Sequence, residues 1–141
     1  HASAPQIERL KQIQRNFRVA IRNEDVTQRA LLNERFHAAM GDMADNEYLM
    51  PSLRRLLIDH TRIGMTFYSP RQTNLARQQA LAADQHDQFI ELIAAGDADA
   101  AAALAVAHWE LSREQIENFV TPDSIDVPLG KPPSGKKWER A

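Results

Sequence analysis

Three histidines, His37, His86 and His108, fall in or beside stripes that otherwise carry leucine, isoleucine, phenylalanine and alanine. A helix turns about 100° per residue, so their faces can be assigned. His86 shares a face with Ala82, Phe89 and Ile93, and His108 with Ala101, Leu104 and Leu111. His37 lies at the edge of the stripe of Phe36, Met40 and Met43, one turn after Asn33. A single inward histidine is usually a core imidazole bonded to a backbone carbonyl. Three from three helices point to a shared purpose, most often a metal. Asn33 and His37 are four residues apart and leave the same face of one helix. Three imidazoles with an oxygen donor suit one divalent ion such as Zn²⁺ or Ni²⁺, with positions left open for water or a ligand. Mg²⁺ and Ca²⁺ prefer oxygen-rich sites. None of these spacings is as specific as a Cys-x-x-Cys pair.

The elements that must hold these residues read as successive helices. Ile7, Leu10, Ile13, Phe17 and Ile21 recur at spacings of three and four, which predicts a helix from about Gln6 to Asn23. Asp25 offers an N-cap, with Gln28 three residues on in the manner of a capping box. The second helix should run to about Met43, broken by Asp45 and Asn46. The third carries Leu49, Leu53, Leu56, Leu57, His60, Ile63 and Phe67, starts near Pro51 and closes at Ser69-Pro70. The fourth should span about Gln72 to Ala95, with Gly96 as its C′ residue and Asp97 as the next N-cap. The fifth should run from Ala98 to about Val120. No stretch shows sustained period-two alternation, and the connections are short. The expectation is an all-α, antiparallel bundle of about five to six helices over residues 6–120. Residues 1–5 read as a tag remnant or disordered start. Residues 121–141 are rich in proline, glycine and lysine and read as a loose tail or an arm on another surface.

Composition excludes several classes. The 141 residues suit one domain, and 43% hydrophobic content is enough for a core. A net charge of −2 argues against a nucleic-acid surface, which needs clustered lysine and arginine. The absence of cysteine excludes disulfides, thiolate metal sites and cysteine nucleophiles, and fits a reducing cytoplasm. No apolar run approaches the ~20 residues that span a bilayer. The opening residues lack the basic start and apolar stretch of a signal peptide.

Residues 33–37, Asn-Glu-Arg-Phe-His, followed by Asn46 and Leu49, resemble the D-x-x-F-H … N-x-x-L signature of the FCD domain. This is the ligand-binding domain of FadR-type GntR transcription regulators. Residues 86–97 are similar to that family's H-x-x-I-x-x-A-I-x-x-G-D, and His108 falls where its final A-x-x-x-x-x-x-H places a histidine. The resemblance covers about residues 6–119. It implies a mononuclear metal held by one carboxylate and three histidines, which carry over to Asn33, His37, His86 and His108. It also implies a small carboxylate effector, a homodimer, and DNA contact only through a winged-helix domain absent from this chain. Two departures stand out. Asn33 replaces the usual aspartate, and a neutral amide is the weaker ligand. The winged helix, and the first helix of the effector domain, are also missing from the sequence.

Other polar residues lie near the stripes. His60 shares its face with Leu53, Leu56, Ile63 and Phe67. It is either a satisfied core histidine or a hydrogen-bond donor to the effector. Arg18 flanks the first stripe, where a guanidinium can clamp a carboxylate, although a solvated or snorkelling arginine is the commoner outcome. Three readings follow: an effector-sensing regulatory domain, a metal-dependent hydrolase whose ion activates water, or a bundle with buried, non-ligand histidines. Against the enzyme, no Asp or Glu lies on a core face as a general base. Asp84 and Asp87 flank His86 but project elsewhere.

Overall fold

The computed structural model describes residues 2–67 and 75–120, with side chains described for residues 2–62 and 76–113. Five α-helices make up the described part, with no strand among the described residues: α1 (Ala4–Arg22), α2 (Val26–Ala44), α3 (Met50–Phe67), α4 (Leu75–Ala95) and α5 (Ala98–Val120). The bundle is all-α, as the periodicity requires.

The helix ends follow from local chemistry. α1 begins two residues before the expected start at Gln6. The backbone N–H and hydroxyl of Ser3 both donate to Gln6 Oε1, at 2.8 and 2.9 Å, and a proline occupies the first turn. Ser3 therefore caps the first helix, and Ala4 and Pro5 open it. Asp25 accepts from the Gln28 N–H at 2.9 Å and starts α2. α2 ends at Asp45, which takes the left-handed conformation (φ 47°). Gly96 does the same after α4 (φ 73°), a region glycine enters without a Cβ penalty. Asp97 then caps α5 by accepting from the Ala100 N–H at 3.0 Å. Ser69 and Pro70, expected to close the third helix, and Gln72, expected to begin the fourth, lie outside the described residues. So do the side chains of Ile63 and Phe67 and the Pro/Gly/Lys-rich tail at 121–141.

α1 packs between α2 and α4, α3 packs on α2, and α5 packs on α4. α3 and α5 meet only along a short seam, which closes the ring. Leu10, Phe36, Ala39, Phe89 and Ile90 form the main core, backed by Ile13, Met40, Ile93 and Leu104. A second cluster at the other end joins Phe17, Ala20, Leu32 and Ala83. α2 and α3 approach closely at Gly41, where a Cβ would overlap the Leu53 side chain. The core thus lies chiefly among α1, α2 and α4, and the weak α3–α5 seam leaves room beside it.

Candidate metal and ligand site

His37 comes from α2, His86 from α4 and His108 from α5, and their side chains converge. The ring centroids form a near-equilateral triangle, 5.2 Å from His37 to either partner and 5.0 Å from His86 to His108. One nitrogen from each lies within 4.8 Å of the others. His86 is wholly buried, whereas His37 and His108 are half-buried. Phe36 stacks on the His86 ring at 4.0 Å and 9°, and Phe17 leans on it at 5.0 Å. The flat stacking of Phe36, with the tilted Phe17 ring beside it, fixes the plane of this imidazole.

Two buried glutamines decide which nitrogen is free. The Gln14 amide donates to the Ala83 carbonyl at 2.7 Å, so its oxygen remains an acceptor. The His86 Nδ1–H donates to that oxygen at 3.2 Å. The Nε2 of His86 is then left as a bare lone pair, fully buried and without a protein hydrogen-bond partner. The His108 Nδ1–H donates in the same way to Gln85 Oε1 at 2.8 Å, which leaves its Nε2 free. Outer-shell acceptors of this kind orient imidazole ligands and set their tautomers. Neither glutamine was singled out in the sequence. The only signal was a polar residue on an otherwise apolar face.

The imidazoles are held neutral. Burial pushes His37 down to about 3, aided by the nearby His108 and His60. It pushes His108 down to about 4, with a further contribution from His60. His86 falls well below its ordinary value, mainly through burial and then through His37, His108 and Arg18. Three neutral imidazoles in contact, one with an orphaned buried lone pair, match the donor set of a borderline divalent ion.

Beside the triangle lies a cavity of about 380 Å³ between α3 and α5, lined by His37, His108 and His60, by Leu53, Leu56 and Leu57, and by Phe89 and Trp109. His60 reaches it and pairs through Nε2 with the Ser112 hydroxyl at 3.3 Å. Burial lowers its pKa as well. Asp59, which the sequence reading passed over, lines the rim and pairs with Arg55 at 3.2 Å and Arg62 at 3.9 Å. Arg18, considered above as an effector clamp, pairs with two carboxylates of α4. Its Nε donates to Asp87 at 2.9 Å, and its terminal nitrogen donates to Asp84 at 2.8 Å and again to Asp87. The guanidinium is therefore spent on the two carboxylates that flank His86, and it does not line the cavity. Asn33 stands half-buried on α2, one turn before His37.

A helical bundle in which half-buried imidazoles open onto an apolar cavity is a ligand-binding architecture. Residues 1–111 match the family model of the FCD domain, and the chain belongs to that family, the C-terminal domain of FadR-type GntR-family regulators. It is an effector-binding regulatory domain by family. No curated protein and no solved structure matches the chain. No helix among the described residues is long and apolar enough to cross a membrane.

Proposed function

We propose that this domain senses a small organic acid through one divalent metal ion, Zn²⁺ or Ni²⁺. His37, His86 and His108 hold the ion, with Asn33 as a fourth, neutral donor. Neutral ligands leave the ion its full double positive charge, so it supplies a strongly electrophilic centre for a carboxylate. The observation that supports this reading is the meeting of three neutral imidazoles, including an orphaned Nε2, beside a cavity of ligand size. The signal would pass to a winged-helix DNA-binding domain outside this chain, in a cytoplasmic homodimer. A hydrolase is the second reading, because Asp59 lies on the cavity rim. Its pairing with two arginines argues for a structural role.

The test is metal analysis combined with thermal unfolding. The chain should take up close to one Zn²⁺ or Ni²⁺. At about 100 times Kd, binding only to the folded form adds about 2.7 kcal/mol. A chain of this size should then melt several degrees higher, and EDTA should reverse the rise. No uptake and no thermal shift would remove the metal from the reading. Turnover of simple esters, lactones or phosphoesters by the loaded protein would favour the hydrolase.

A further inference from the structure

The cavity's walls carry information about the acid that the histidine triangle does not. Beyond His37 and His108 the lining is nearly all hydrocarbon: Leu53, Leu56 and Leu57 from α3, Phe89 from α4 and Trp109 from α5. Three polar side chains interrupt it, and each is engaged. His60 and Ser112 are bonded to one another. Asp59 is ion-paired with Arg55 and Arg62, whose side chains are more than three-quarters exposed. Arg18 is held by Asp84 and Asp87, away from the cavity. Among the described lining residues there is no lysine or arginine.

We infer that the ligand is a monocarboxylate with an apolar body, its carboxylate at the histidine end and its hydrocarbon against α3 and α5. This deepens the proposed function and rests on it. A second carboxylate would enter an apolar wall with no lysine or arginine among its described lining residues, at a rim where Arg55 and Arg62 already pair with Asp59, and burying an unpaired charge is strongly unfavourable. The hydroxyls of a sugar acid would likewise find few free partners. A methylene laid against these walls is favourable instead. The open side of the cavity admits a tail, because Leu56 and Trp109 are 65% and 54% exposed and have apolar surface left to cover.

The test is a titration of the Zn²⁺-loaded chain with acetate, butyrate, hexanoate, adipate and gluconate, followed by calorimetry and, with Trp138→Phe, by Trp109 fluorescence. Affinity should rise about four-fold per methylene, the fold-change equivalent to about 0.8 kcal/mol. Hexanoate should therefore bind about two orders of magnitude tighter than acetate. Adipate has the same carbon chain with a second carboxylate, and should bind at least about ten-fold more weakly than hexanoate. Leu56→Arg, at an exposed position, should invert the order of hexanoate and adipate while metal uptake stays unchanged. A flat series, or adipate and gluconate binding as tightly as hexanoate, overturns this inference and leaves acid sensing intact. Binding of metal but of no acid overturns both.

Discussion

Acidification of the metal-free chain should destabilise it before any ordinary carboxylate titrates. In the unfolded chain His37, His86 and His108 titrate near 6.5. In the fold His37 lies at about 3, His108 at about 4 and His86 well below its ordinary value. The folded form thus binds fewer protons than the unfolded form throughout the interval between these values. Stability is complete above about pH 7.5 and is lost as the pH falls below 6.5. Between pH 6.5 and 5.0 each imidazole that must stay neutral costs about 2 kcal/mol, from 1.5 pH units at 1.36 kcal/mol each. His37 and His108 together reach about 4 kcal/mol, a large fraction of a whole domain's stability, and His86 adds in the same direction. His60, also lowered by burial, adds in the same direction. The assay is urea unfolding by circular dichroism, in EDTA, at pH values from 7.5 to 5.0. Near pH 5.5 the slope from His37 and His108 should approach two protons, or about 2.7 kcal/mol per pH unit, with His86 adding to it. His108→Asn should reduce it by about one proton. A slope below one proton across this range would refute the reasoning, since the imidazoles would then be reaching water in the folded state.

Other consequences are more local. His86→Ala or His108→Ala should abolish tight metal uptake, whereas His60→Ala should leave it nearly intact; equal losses measured by calorimetry would reassign the ligands. Gln85→Leu removes the acceptor for the His108 Nδ1–H, and should weaken metal binding about ten- to a hundred-fold with the helical fold retained by circular dichroism. Asn33→Asp should tighten the metal and weaken carboxylate binding, because the added anion offsets the charge that attracts the acid. The chain alone should give no salt-resistant, sequence-selective gel shift, because its net charge is −2 and its clustered lysines lie only at 131–137.

The periodic stripes, the caps at Asp25 and Asp97, and the helix end at Gly96 were all legible in the linear chain. Each depends on residues within a turn or two of one another, and α-helical spacing converts such local order directly into a face. The inward placement of His37, His86 and His108 follows from the same arithmetic, while the resemblance of residues 33–37 and 86–108 to the FCD signature rests on the identity of the residues. What lies across the bundle was not legible. The bond that sets the His86 tautomer joins residues 72 apart in sequence, and the one that holds Arg18 spans 69. No periodicity could show that Arg18 faces Asp84 and Asp87, or that Gln14 and Gln85 turn two Nε2 atoms free. The helical pattern settles which side of each helix is buried. Only the packing of α1 on α4, and the thin seam between α3 and α5, decides which polar groups meet there and leaves a cavity beside the imidazoles. Those outcomes depend on the relative height and rotation of separate helices, which are set by how side chains interlock.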